Sequence, residues 1–221
     1  MKRLLGIGVL LFGLLGALYV AGQAVQTLDV LANVERERDT WQRPDEVLRA
    51  LDLRPGSVVV DFGSGAGYFA LKIAPRVAPG GRVLAVDLRR QSLAFLWIRA
   101  VLSGQRNLTV IRSRPHDPEL PAGQVDAVLI ANTYHELTEP EPILAALFSA
   151  MRQGARLVVV DRAPRRGATA GEAAGEHHEI AAAAAEREIT ARGFEIVSRD
   201  DRFIDRPGDE DVWWMTVFRR P

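Results

Sequence analysis

The chain has 221 residues, 48% hydrophobic and 25% charged, a globular composition that excludes a disordered chain. Its 28 Lys+Arg balance 28 Asp+Glu, and the absence of a basic excess demotes nucleic acid as a partner. It contains no Cys, which removes disulfide frameworks, thiolate zinc sites, iron–sulfur clusters and cysteine nucleophiles together.

The first element is apolar. Met1-Lys2-Arg3 precedes an uncharged run over residues 4–22, and the next charge is Asp29. As a helix that run reaches about 28 Å, close to the hydrocarbon thickness of a bilayer. Signal-peptide cores run about 7–15 residues and spanning helices roughly 17–25, so length favours an uncleaved membrane anchor over residues 1–24. Gly22-Gln23-Ala24 is a small-x-small site, which keeps a cleaved signal and export as the alternative. A buried core helix would need a polar face, and none exists. Lys2 and Arg3 argue for a body outside the membrane by the positive-inside rule, while Arg36, Arg38 and Arg43 pull the other way. Residues 25–39 read as a linker.

Residues 40–221 read as one domain. Thr40 caps a helix with Pro44 in its first turn and Val47, Leu48 and Leu51 as its apolar stripe, ended by Pro55-Gly56. Val58-Val59-Val60-Asp61-Phe62 is a strand buried on both faces. A glycine turn over residues 63–67 leads to a helix from Tyr68, and Pro79-Gly80-Gly81 breaks the chain. A second strand ends at Asp87. A helix carrying Leu93, Leu96, Ile98 and Leu102 ends at Gly104, and a third strand covers residues 108–111. The fourth strand covers residues 125–132. The next helix holds Ile143, Leu144, Leu147, Phe148 and Met151 and stops at Gly154, and a fifth strand covers residues 156–161. An Ala-rich helix over residues 179–191 comes next. Strands over residues 194–197 and 212–218, joined by a loop over residues 202–210, close the chain as an antiparallel hairpin. Alternating strands and helices mean a parallel α/β sheet with right-handed crossovers.

The turn Asp61-Phe62-Gly63-Ser64-Gly65-Ala66-Gly67 carries the chemistry. Glycines there let a ligand approach the backbone, and a helix amino terminus lies just beyond. Asp87, at the end of the second strand, is placed to accept hydrogen bonds from ribose hydroxyls. A dinucleotide fingerprint would need glycine at the position of Tyr68. Asp61 would repel a pyrophosphate and suits a cofactor with a cationic ammonium group.

These residues, with Ala85-Val86-Asp87, look like the class I S-adenosylmethionine-dependent methyltransferases. Gln153-Gly154-Ala155-Arg156-Leu157-Val158-Val159-Val160-Asp161 resembles their loop into the fifth strand, with Ala155 where a second glycine is usual. The likeness covers residues 40–220. It implies a Rossmann-like, doubly wound, seven-stranded and mostly parallel sheet with an antiparallel C-terminal hairpin strand, here behind an N-terminal hydrophobic helix. It implies S-adenosylmethionine as cofactor, with Asp61, Gly63, Ser64, Gly65 and Gly67 around the methionine part and Asp87 on the ribose. Family members carry an acid after the third strand, before a Leu-Pro, on the adenine side. Asp117, before Leu120-Pro121, takes that place one position displaced, and a plain turn acid is the competing reading.

Ligands of open α/β sheets lie beyond the carboxyl ends of the strands. The fourth strand ends at Asn132-Thr133-Tyr134-His135-Glu136. Asn132 is assigned to the cofactor and His135 and Tyr134 to catalysis. His135 is the proton-transfer candidate, because imidazole titrates near about pH 6.5. Its alternative is a backbone-bonded histidine at a helix start. Tyr134 has a wall as its alternative, and Glu136 a helix cap. The sequence departs from the N/D-P-P-Y of methyltransferases acting on adenine or glutamine amides, which again lowers nucleic acid as substrate. His177-His178-Glu179 sits on adjacent helix positions facing different ways, so no metal is expected. His178 resembles a histidine that some small-molecule members place over the site, with a solvated helix start as the alternative. The expected function is membrane-tethered methyl transfer to a small or lipophilic acceptor. A nicotinamide-dependent oxidoreductase and a non-catalytic cofactor-binding module are the rivals.

Overall fold

The computed structural model describes residues 2–165, 179–206, 208 and 211–221. Within the first helix the side chains of residues 2–15, 17, 18, 20, 21 and 24 also lie outside the described set. The chain divides into two compact units, Met1–Gln42 and Arg43–Pro221.

The first unit is one helix, α1 (Lys2–Trp41). Residues 25–39, expected as a linker, are continuous helix. Thr40 is helical too, and its hydroxyl donates to the Glu37 carbonyl at 2.7 Å rather than capping a new element. Among the described residues no helix is long and apolar enough to cross a membrane. The apolar run over residues 4–22, on which the anchor and signal expectations rest, lies mostly outside the described side chains.

The second unit runs α2 (Pro44–Ala50), β1 (Val58–Phe62), α3 (Ala70–Val77), β2 (Arg82–Asp87), α4 (Arg90–Leu102), β3 (Leu108–Arg112), β4 (Val125–Ala131), a 3-10 turn (Tyr134–Glu136), α5 (Pro140–Ala150), β5 (Met151–Arg162), α6 (Ala182–Ala191), β6 (Glu195–Asp205) and β7 (Val212–Arg219). Arg43 precedes α2 at φ 51, its guanidinium paired with Glu46 and stacked 4.5 Å over the Phe203 ring. This pairing holds the Glu46 carboxyl below its usual range.

The strands form one sheet in the order β3-β2-β1-β4-β5-β7-β6. The first five are parallel neighbours, and β7 lies antiparallel between β5 and β6. This is the expected α/β sheet of seven strands with an antiparallel insertion. The order reverses between β1 and β4, so a crevice opens at their carboxyl ends. Right-handed crossovers put α3 and α4 on one face and α5 and α6 on the other. Val60, Phe62, Val128, Ile130, Leu157 and Val159 pack with Ile143, Leu147, Ala185 and Ile189 in one buried cluster. The alternate positions Val59, Val83, Ala127, Leu129 and Val158 are buried on the opposite side.

Three boundaries differ from expectation. Gly154 does not stop a helix: α5 ends at Ala150, and Gly154, at φ 81, lies inside β5 where the pairing with β4 slips between Val125–Met151 and Ala127–Arg156. The loop expected over residues 202–210 is strand as far as Asp205. Its charged outer positions look like loop because β6 is the solvated sheet edge, while Phe203 and Ile204 return to the core. The Ala-rich helix begins at Ala182 instead of Glu179.

Candidate active site

Asp61 sits near the end of β1, buried between Ala85 of β2 and Leu129 of β4. The chain then turns through Gly63, Gly65 and Gly67 at φ 76, 52 and 93, values that favour glycine. The N–H groups of Gly63 and Ser64 both donate to the Val86 carbonyl, at 2.9 and 3.0 Å, and tie the turn to β2. The three glycines serve different purposes. A Cβ on Gly63 would stand 2.2 Å from Thr133 Oγ1, and one on Gly67 2.1 Å from Leu96 Cδ1. Those two let the turn pack against the end of β4 and against α4. A Cβ on Gly65 would meet nothing within 4 Å, so of the three this glycine faces open space.

Asp87 organises the rim. Its Oδ2 accepts from the Gly65 N–H at 2.8 Å and its Oδ1 from the Arg89 N–H at 2.7 Å. Each carboxylate oxygen can accept a further hydrogen bond. Arg89 lies 3.6 Å from Glu136, so charge links the ends of β2 and β4, and Glu136 faces this arginine instead of capping α5. Asn132 ends β4 at φ 55, its N–H donating to the Val160 carbonyl at 2.7 Å. Ser64 Oγ and Asn132 Oδ1 are buried without a hydrogen-bond partner within the chain, which costs free energy.

His135 is held from behind. Its Nδ1 lies 2.7 Å from Asp161 Oδ1, and its backbone N–H donates to Asp161 Oδ2 at 3.1 Å. A carboxylate only accepts, which leaves Nδ1 as the donor and fixes the tautomer. The two side chains are 2% and 0% exposed. Asp161 is the residue of the candidate site that sequence reasoning missed. Its signal is the one that marks Asp61 and Asp87, an acid closing an apolar strand.

Tyr134 lies in the core, and its hydroxyl donates to Glu188 Oε2 of α6 at 2.7 Å. Burial first, and then Glu188, push its ionisation well above the usual range. It is a wall that fastens α6, not a group that exchanges protons near neutrality. Asp117 is exposed in a turn after β3, where its Oδ1 accepts from the Glu119 N–H at 2.8 Å. That turn also carries paired backbone bonds between Arg114 and Asp117. Asp61, Gly63, Ser64, Gly65, Asp87 and Asn132 thus come together at the ends of β1, β2 and β4, with Asp117 beyond β3. His178 lies outside the described residues. Among the described residues no group of three or more His, Asp or Glu could hold a metal ion. A depression of about 250 Å³ between α5 and α6, lined by Pro140, Leu144, Glu188 and Arg192 among others, includes none of the candidate residues.

Residues 60–159 match a family profile described as a methyltransferase domain. The chain is 31% identical over 103 residues to nocamycin O-methyltransferase of Saccharothrix syringae, a match covering 47% of this chain and 36% of that protein. It is 29% identical over 127 residues to demethylmenaquinone methyltransferase of Thermus thermophilus, covering 56% of this chain and 54% of that one. The chain therefore spans only about a third to a half of the length of these relatives. The crystal structure of a SAM-dependent methyltransferase from Aquifex aeolicus superposes with a TM-score of 0.68 at 22% identity, covering 80% of this chain and 89% of that one. Residues 60–159 are thus similar in sequence to methyltransferase domains, and the sheet unit shares the fold of the Aquifex aeolicus structure.

Proposed function

We propose that this chain transfers the methyl group of S-adenosylmethionine to a small or lipophilic acceptor, at a membrane reached through its N-terminal apolar run. The observation that carries the reading is the cradle at the end of β1. One glycine faces open space, two carboxylates flank it, and two buried polar atoms lack partners. The residues fit the cofactor. Asp61 suits a cationic ammonium group, and the spare acceptor capacity of Asp87 suits ribose hydroxyls. Ser64 Oγ and Asn132 Oδ1 offer polar contacts, and Asp117 stands toward the adenine side. When bound, S-adenosylmethionine supplies a methyl group already activated by a sulfonium.

The protein's own task is then to position the acceptor and exclude water. For an acceptor with an acidic O–H or C–H, His135, oriented by Asp161, takes the proton. A neutral amine needs no base. Two relatives, one named for nocamycin and one for demethylmenaquinone, support an organic small-molecule acceptor. The charged start Met1-Lys2-Arg3 and the apolar residues 4–22 support the tether.

Calorimetry tests the reading. The full-length protein should bind S-adenosylmethionine, and Asp61→Ala and Asp87→Ala should each weaken binding at least about tenfold, the equivalent of one lost charge-assisted hydrogen bond. Unchanged affinity in both variants, or preferential binding of NAD, overturns it.

A further inference from the structure

We propose that the outer face of α4 is a contact surface for an anionic lipid membrane. The inner face of this helix, Leu93, Leu96 and Ala100, is buried against the sheet. Its outer face is apolar as well. Trp97, Val101 and Leu102 are 57%, 58% and 71% exposed, and Ala94 and Ile98 are exposed beside them. Arg90, Ala94, Trp97 and Val101 fall at i, i+4, i+7 and i+11 and form one stripe. Single exposed apolar residues are ordinary, but a contiguous group on two turns of one helix marks an interaction surface.

Charge selects the partner. Residues 88–116 contain Arg89, Arg90, Arg99, Arg106, Arg112 and Arg114 and no Asp or Glu, in a chain whose formal net charge is zero. Arg90 and Arg106 are exposed at the two ends of the helix. Nucleic acid would find aliphatic side chains between the cations. Arg89 is paired with Glu136 and Arg114 with Glu119, and an apolar protein surface would gain nothing from the exposed Arg90 and Arg106. A lipid surface accommodates both: Trp97 at headgroup depth, Ile98, Val101 and Leu102 in the acyl boundary, and guanidinium groups on lipid phosphates. The Arg90 end of α4 adjoins the cradle, because Asp87 bonds both the Arg89 and Gly65 N–H groups. A membrane on this face would therefore meet the rim of the site. The inference stands apart from the methyl-transfer reading and from the N-terminal run.

A chain without Cys allows a unique label. Full-length Val101→Cys, carrying an environment-sensitive dye, is mixed with vesicles of phosphatidylcholine and phosphatidylglycerol in equal parts, and separately with phosphatidylcholine alone. Arg187→Cys, exposed on α6 across the sheet, is the control. The dye at position 101 should shift to the blue and be quenched by doxyl-labelled lipid, while the dye at position 187 should not. The vesicle affinity read at 101 should be about thirtyfold weaker in an Arg90→Gln/Arg106→Gln background, from the loss of about one kcal/mol for each of two surface cations converted to affinity, and weaker by at least as much without phosphatidylglycerol. The proposal is overturned by no shift at 101 in protein that floats with the vesicles, or by equal shifts at both positions. A blue shift without vesicles also overturns it. If that shift grows with protein concentration, a second copy covers the face; if it persists on dilution, the chain's own residues do.

Discussion

The tetrapeptide Val-Val-Val-Asp occurs twice, at residues 58–61 in β1 and at residues 158–161 in β5. Both sets of valines are wholly or largely buried, both acids are buried, and both strands are parallel neighbours of β4 in the same sheet. Their continuations differ. After Asp61 come Phe62 and the glycines, so the strand opens into backbone with little side chain over it. After Asp161 comes Arg162, and the carboxylate is occupied by the His135 ring, the His135 N–H and the Arg162 N–H. The same local sequence thus makes a glycine-lined turn on one side of the crevice and a buried carboxylate–histidine lock on the other. A buried strand-end acid takes its role from the residues after it and the groups that face it, not from the strand that carries it.

The lock is the easier side to break. Asp161→Ala strips partners from three buried groups at once and should destabilise the fold by about 3–5 kcal/mol in urea unfolding. Asp161→Asn keeps the volume and one acceptor, and should cost about 1–3 kcal/mol. If His135 serves as a base, Asp161→Asn should also lower kcat with little change in the binding of S-adenosylmethionine, because the ring loses its fixed tautomer. Equal stability in both variants would remove the lock from the comparison.

The cradle is broken through its glycines, and two of them sharpen the contrast. Gly63→Ala forces a side chain into left-handed backbone and against Thr133, at about 2–4 kcal/mol. Gly65→Ala carries only the backbone strain, about 1–2 kcal/mol. Its methyl group nevertheless stands in the open side, so it should reduce cofactor affinity more than its stability loss explains. Thermal unfolding paired with calorimetry separates the two. A Gly65→Ala protein that binds normally would move the cradle elsewhere.

This asymmetry also explains what is legible in the chain. The glycine turn of the cradle, Asp61 to Gly67, is continuous in the chain, and its glycines and acid announce a turn between a strand and a helix. Asp87 is recognisable by position, although its bonds to the Gly65 and Arg89 N–H groups appear only when β1 and β2 pair. The lock joins residues 26 apart and the Tyr134–Glu188 bond residues 54 apart. Neither has a local signature, so in the sequence Tyr134 resembles a catalytic group and Asp161 an ordinary strand end. The division of labour among the glycines is hidden for the same reason, since Thr133 and Leu96 come from other parts of the chain. From Arg202 to Asp205, β6 reads as loop because an edge strand with charged outer positions lacks the apolar alternation that marks a half-buried one.

The smallest expected effect tests whether the β4 side is held by side-chain pairs at all. Tyr134→Phe removes one hydrogen bond to Glu188 and should cost about 1 kcal/mol at neutral pH. Its diagnostic lies at alkaline pH. The folded protein holds the Tyr134 proton above the ordinary value of 10.0. Below that value both folded and unfolded chains keep the proton, and the contribution is fully present. Above it the unfolded chain releases a proton that the folded chain retains, so stability falls as pH rises. Urea midpoints of the parent protein should therefore hold steady up to about pH 10 and then drop. Those of Tyr134→Phe should begin lower and fall less steeply. Parallel curves would mean that Tyr134 ionises freely in the folded state and that α6 is fastened by its apolar packing and by the Glu186 bonds to Thr216 and Arg199, which would leave the Asp161–His135 pair to hold that side of the crevice.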